Sequence, residues 1–303
     1  MFVAFLPTKF SGGKFAVVKI ATFHTQNRYL QAKKITQMEV KYDKIGTDYN
    51  LTRKADKYLT EQLLHHLKPI QNGKYLDIGC GTGNYTNELQ KNGFQFIGID
   101  PSKQMLEKAK LKNNEIDWKI GSAENIGLSE NFVNGIIGSL TIHHWTDLKI
   151  GFSELNKVLK PNGRIVIFTS TPKQMKGYWL NHYFPKMLSD SIIQMPTLEK
   201  VKIAMKSSGI EFLETDKYFI KSDLQDQFLY CGKQNPEFYF DDQIRHGISS
   251  FSSLSNRTEV EQGLSDLRKD IDSGKINKII KSYENDFGDY LYIIGKKPAG
   301  NNV

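Results

Sequence analysis

Between Lys54 and Leu67 the apolar residues Tyr58, Leu59, Leu63, Leu64 and Leu67 recur at helical spacing, and Pro69 with Gly73 closes the run. This predicts a helix leading into a sheet. Lys74 to Ile78 then reads as a short buried strand, followed by glycines and a helix from about Tyr85 to Lys91. Gly93 breaks that helix, and Phe94 to Asp100 makes a second strand. Lys103 to Lys112 carries Met105, Leu106 and Ala109 on one face and reads as the next helix. Asp117 to Gly121, Val133 to Gly138 and Gly163 to Thr169 are expected as the third, fourth and fifth strands, with a helix near Lys149 to Leu159 between the last two. Strands alternating with helices at this spacing imply an α/β protein with a parallel, doubly wound sheet.

Beyond Thr171 the pattern changes to aromatic-rich helical stretches, Tyr178 to Leu188 and Leu198 to Lys206, the second ended by Gly209. Glu211 to Ile220 alternates as a sixth strand does, and Asp289 to Ile294 reads as a seventh. Between these two lies an insertion with turn residues early and an amphipathic helix around Leu264 to Tyr283. The expected organisation is a basic, loosely ordered extension over residues 1–40, a core over 41–220, an insertion over 221–285 that is a candidate substrate lid, and the last core strand with its tail over 286–303. No internal repeat or low-complexity tract interrupts this plan.

Composition narrows the class only slightly. No apolar run approaches the roughly 20 residues that span a bilayer, so no membrane partner is expected. Cys80 and Cys231 are the only cysteines, too few for a disulfide framework, which fits a reducing, cytoplasmic setting. Asn-x-Ser/Thr triplets at Asn50, Asn84 and Asn256 are read as chance, since Asn84 directly follows the glycine motif described next, where a ligand is expected. The net charge of +8 would suggest a nucleic-acid partner, but no acid precedes Glu39 while Lys9, Lys14, Lys19, Arg28, Lys33 and Lys34 are basic. Most of the excess therefore belongs to the first residues. That leader lacks the charged start, long apolar stretch and cleavage-like end of a secretory signal, and Met38 is an alternative start.

The chemistry concentrates in Tyr75-Leu76-Asp77-Ile78-Gly79-Cys80-Gly81-Thr82-Gly83, three glycines placed after a strand and before a helix. Glycine is needed where the backbone turns sharply and comes within contact distance of a ligand. A dinucleotide site wants a third glycine one position later, beneath a pyrophosphate, and that position is Asn84. Gly-x-Gly-x-Gly preceded by Asp77 suits a ligand without phosphates. Asp100 ends the next strand, where doubly wound folds place an acid that accepts hydrogen bonds from ribose hydroxyls.

This constellation resembles motif I of the class I S-adenosylmethionine (SAM)-dependent methyltransferases, and the resemblance runs from about Tyr42 to Thr171. It implies a Rossmann-like fold, a mostly parallel seven-stranded sheet with helices on both faces, and SAM as cofactor with S-adenosylhomocysteine as product. By the same resemblance the cofactor set is Tyr42, Tyr49, Arg53, Asp77, Gly79, Cys80, Gly81, Gly83, Asp100, Pro101, Ser102, Met105, Ser122, Ala123, Glu124 and Ser139. Within it Arg53 would pair with the methionine carboxylate, Asp100 with the ribose, and Met105 would lie beside the adenine. Ser122 stands where the family carries an acid that accepts from the adenine amine, a shorter group able to accept one bond. Asp77 either touches the ligand or braces the loop.

Ser139-Leu140-Thr141-Ile142-His143-His144-Trp145 follows the fourth strand, at the edge where open α/β sheets bind ligands. Methyl transfer from a sulfonium is an in-line displacement with a neutral leaving group, so alignment and exclusion of water dominate and no metal is demanded. His143 and His144 are the candidate catalytic residues, for pocket contact or for removing an acceptor proton, and His246 is a further base. Tyr178, Trp179, His182, Tyr183, Arg245 and His246 are candidate substrate residues; the aromatic cluster Tyr178, Trp179, His182, Tyr183 and Phe184 forms either a substrate wall or the inner face of a helix. The expected partner is a small molecule of unspecified acceptor atom. An RNA methyltransferase is the alternative, opposed by near charge balance without the leader and by the lack of a basic, aromatic sheet face. A non-catalytic SAM-binding protein is a further one.

Overall fold

The computed structural model describes residues 52–300. The basic extension over 1–40, Tyr42 and Tyr49 lie outside the described residues. Among those described, α1 is Lys57–Leu67, begun by Asp56, whose carboxylate accepts from the Leu59 amide at 2.9 Å, and ended by Lys68 in a left-handed conformation. The helix therefore starts three residues later than periodicity alone suggests, because the cap side chain takes the orphan amide.

Seven strands follow: β1 Lys74–Ile78, β2 Gln95–Asp100, β3 Asp117–Ile120, β4 Val133–Ser139, β5 Leu159–Thr169, β6 Glu211–Tyr218 and β7 Tyr290–Lys296. They form one sheet in the order β3-β2-β1-β4-β5-β7-β6. The neighbours β3 to β5 pair in parallel, while β7 runs antiparallel to both β5 and β6. Reversal of direction between β1 and β4 in the order leaves a crevice at the carboxyl ends of the strands, the switch point where such sheets take ligands.

The crossover helices are α2 Asn84–Lys91, α3 Lys103–Lys112, α4 Leu148–Val158 and α7 Leu198–Ser207, the last preceded by α5 Pro172–Lys176 and α6 Pro185–Gln194. Strands covered on both faces read as continuous apolar runs, as in Ile165, Val166, Ile167 and Phe168 of β5. One face packs Tyr75, Phe96 and Phe168 against Leu59 and Leu63 of α1 and Leu89 of α2. The other packs Leu76, Ile78 and Ile136 against Phe152 and Leu155 of α4 and Val201 and Met205 of α7.

Two helical stretches are divided more finely than their periodicity suggests. The segment expected over Tyr178 to Leu188 is a 3-10 turn, Trp179–His182, and then α6, because Pro185 occupies the first turn of a new helix. The single helix expected around Leu264 to Tyr283 is α10, Arg257–Asp272, and α11, Ile276–Ser282, separated by Gly274 at a φ of 72°. Two short helices, α8 Asp242–Gly247 and α9 Ser249–Ser253, precede them in the insertion.

Candidate functional site

The bend between β1 and α2 is built by Gly79, Gly81 and Gly83, whose φ values of 71°, 54° and 71° all fall in the left-handed region. The Gly79 and Cys80 amides donate to the Ile99 carbonyl at 2.7 and 3.1 Å, tying the bend to β2. The three glycines serve different ends. A Cβ on Gly79 would collide with the Thr141 side chain and one on Gly83 with the Trp118 ring, so both are small because protein packs against them. A Cβ on Gly81 would meet open space. That open space is the cradle the motif implies.

Asp100 stands beside it, 8% exposed, at the end of β2. One carboxylate oxygen accepts from the Gly81 amide at 2.8 Å and the other from the Ser102 amide at 2.8 Å. Each oxygen keeps a second lone pair, so the group can hold the bend in place and still accept from a pair of hydroxyls. Burial pushes its pKa up to about 6 against the pull of those two amides. Asp77 lies beneath the bend, 2% exposed, and accepts from Thr86 Oγ1 at 2.6 Å. Burial, with the nearby Asp100, raises its pKa to about 7 while the Thr86 bond opposes. Its contact is a brace from β1 to α2. Cys80 is partly exposed, and burial of its sulfur with the two carboxylates nearby keeps the thiol protonated.

Across the crevice, Ser139 ends β4 and its buried Oγ has no hydrogen-bond partner among the described residues. An orphaned hydroxyl there is a polar group that a ligand can satisfy. Leu140 follows at a φ of 52°, a conformation rare for a non-glycine residue, held by its amide bond to Phe168 O at 2.8 Å. The chain then forms the short turn Ile142–His144, with the His143 and His144 rings 3.9 Å apart and both partly exposed. The cradle, Asp100, Ser139 and the histidine pair thus line the carboxyl edge of β1, β2 and β4.

Other expected cofactor residues have structural partners. Ser102 caps α3 by accepting from Met105 N at 3.3 Å, and the Met105 side chain is buried. Pro101 is partly exposed between Asp100 and that cap. Ser122 exchanges both backbone bonds with Asn125, each 3.1 Å, which makes a tight turn holding buried Ala123. Glu124 reaches to the loop after the histidines, where Oε1 accepts from Thr146 N, Thr146 Oγ1 and Asp147 N. Arg53 is engaged by Asp226 of the insertion, through Nε and through Nη2 at 3.3 Å.

The substrate candidates divide. Tyr178, Trp179 and Tyr183 are buried; Tyr178 stacks on Tyr230 at 3.8 Å and its hydroxyl donates to the Asp289 carbonyl, while Tyr183 donates to Asp270 at 3.1 Å. They pack as the inner face of a layer. His182 and His246 are exposed, and Arg245 bonds to Asp242 and to the Tyr239 carbonyl. Residues without a motif also hold the site. Lys112 Nζ bonds Thr82 Oγ1 at 3.0 Å and the Thr82 carbonyl at 3.1 Å, clamping the bend from outside. Thr141, Trp118 and Asp226 are likewise visible only once the chain is folded.

Residues 76–167 match the family described as methyltransferase domain. A protein named as a methyltransferase of an antibiotic biosynthesis pathway, from Anabaena variabilis ATCC 29413, is 30% identical with a TM-score of 0.72, the match covering 80% of this chain and 98% of that one. The ubiquinone biosynthesis O-methyltransferase of Pelagibacter ubique is 36% identical over 115 residues, 37% of this chain and 47% of that protein. The biotin biosynthesis bifunctional protein of Cellvibrio japonicus is 32% identical over 143 residues, 46% of this chain and 28% of that protein. The chain thus spans less than half the length of these two curated relatives.

Proposed function

The chain belongs to the class I SAM-dependent methyltransferases, and from that premise we propose that it methylates a small molecule held beside His143 and His144. The observation that carries this reading is the pairing of open space at Gly81 with the buried Asp100 carboxylate, a bare backbone next to an acceptor for two hydroxyls. When bound, SAM supplies a methyl group on a positive sulfur. Gly81 gives the cofactor room, Asp100 takes its ribose hydroxyls, and the Ser122 turn offers backbone and hydroxyl groups to its adenine. Asp77 and Lys112 keep the bend in shape from beneath and outside.

The acceptor lies between the Ser139 end of β4 and the histidine turn, where the protein's task is to align a nucleophile with the methyl carbon and exclude water. Where the acceptor must lose a proton, His143 or His144 removes it. Glu124 and the left-handed Leu140 hold that turn at its two ends. The names of the relatives, which include an O-methyltransferase of ubiquinone biosynthesis, support a small acceptor. No helix among the described residues is long and apolar enough to cross a membrane, and two unpaired cysteines suit a cytoplasmic setting.

Calorimetric titration with SAM and S-adenosylhomocysteine tests the cradle, with saturable heat expected from both. No heat from either sinks the reading. Incubation of the protein with methyl-labelled SAM and a metabolite extract should then transfer label to a small molecule, whose identity names the acceptor.

A further inference from the structure

We infer that Asp226 is a positioning residue that couples the inserted segment to the cofactor cradle by holding Arg53 and Tyr85 together. The inference rests on the cradle reading above and extends it to a residue 173 positions away from Arg53.

Asp226 is 1% exposed. Its carboxylate accepts from Arg53 Nε and Nη2 and from the Tyr85 hydroxyl, the last at 3.0 Å. Tyr85 lies in the first turn of α2, directly after the glycine bend, and the neighbouring Asn84 side chain donates to the Arg53 carbonyl at 2.7 Å. The residues flanking Asp226 grip the same lead-in from the other side. Gln225 N donates to the Asp56 carboxylate at 3.1 Å, and Gln227 N donates to the Thr52 carbonyl at 3.1 Å. Asp56 in turn caps α1. Residues 52–56 are therefore held between α2 and residues 225–227, with one buried carboxylate at the centre.

A charge is an expensive way to fill this space. An apolar side chain would bury at lower cost, while an ion pair with three directed bonds tolerates one arrangement of its partners. The structure uses that directionality at the junction of three elements: the lead-in, the first turn after the cradle, and the insertion. Displacing the insertion breaks the bonds to Arg53 and Tyr85, and Tyr85 cannot move without moving the end of the bend that holds SAM. By linkage, SAM binding and seating of the insertion favour each other.

The test uses the full chain and three variants at a temperature where circular dichroism shows each folded. Asp226→Asn is expected to weaken SAM about tenfold in calorimetry, within the usual range of coupling between sites. Asp226→Glu, which keeps the charge, should regain part of the affinity, and Tyr85→Phe should lose a smaller part. Hydrogen exchange across residues 221–230 should slow when SAM is added to the wild type and not when it is added to Asp226→Asn. A purely structural role would lower the melting temperature but leave the affinity of the folded variant and its ligand-dependent protection unchanged, and that result overturns the inference. If Asp226→Asn does not fold, Tyr85→Phe carries the same comparison. A wild-type chain that binds no SAM overturns the cradle reading and this inference with it, whereas wild-type binding matched by equally tight variants overturns the inference alone.

Discussion

An alanine at position 81 and an alanine at position 79 should fail in opposite ways. The Gly81 methyl would enter the open crevice, and its left-handed backbone would cost roughly 1–2 kcal/mol. Gly81→Ala is expected to remain folded and lose SAM affinity, read by calorimetry beside a melting curve. The Gly79 methyl would strike Thr141, so Gly79→Ala is expected to lose stability first. A second expectation concerns pH. Asp77 and Asp100 have folded pKa values of about 7 and about 6, above the ordinary 3.8, so the folded chain holds protons that the unfolded chain releases. Their contribution to stability is complete below about pH 4 and is lost as pH rises through about 6 to 7. Ligand affinity runs the other way, because ribose hydroxyls need an ionised acceptor, and SAM should bind more tightly as pH rises through about 6. Asp77→Asn should flatten the stability profile in urea titrations without removing the affinity step; an unchanged profile would show that Asp77 does not titrate there. The glycine spacing and Asp100 were legible in the sequence because a backbone ligand site demands those residue types. The reasons for Gly79 and Gly83 were not, since Thr141 and Trp118 meet them only through the fold.

The turn carrying the histidines is shaped at both ends by contacts that belong to its flanking elements. Glu124 accepts three bonds from Thr146 and Asp147, and Asp147 caps α4 by accepting from Ile150 N at 3.0 Å. Glu124→Ala leaves two backbone amides without that acceptor, a change worth about 1–3 kcal/mol where such groups are buried. Because Asp147 is exposed, water offsets part of this, and the expected loss in urea denaturation lies at the lower end. Faster hydrogen exchange at residues 146–150 should accompany it, and unchanged exchange would refute the brace. Reading Glu124 as a cofactor ligand followed from its place in a motif; that its Oε1 also braces the loop after the histidines belongs to no motif and shows only in the fold. The same limit applies to helix boundaries. Pro185 and Gly274 each divide what periodicity joined, and both are residues whose backbone demands, not their hydrophobicity, decide where a helix ends. Tyr178, Trp179 and Tyr183 show the converse, an aromatic stripe whose burial made it a core layer.

At the scale of the molecule, the alternation of strands and helices was enough to anticipate a doubly wound sheet, since parallel neighbours need a long crossover connection and a helix is the usual one. The anchoring of the insertion was not, because Asp226 belongs to no motif and its partners lie far along the chain. The whole-molecule expectation is a protein with little intrinsic affinity for nucleic acid beyond its basic leader. A chain starting at Met38 should bind tRNA weakly and methylate none of it, whereas tight binding with a steep dependence on salt would favour the RNA alternative. The order of the sheet also bears on how the protein is made. Among the described residues β6 has a single neighbour, β7, and residues 219–289 separate the two strands in the chain. During synthesis β6 therefore leaves the ribosome with its hydrogen-bonding edges unmatched, and it finds its place in the sheet only when nearly all of the polypeptide has emerged.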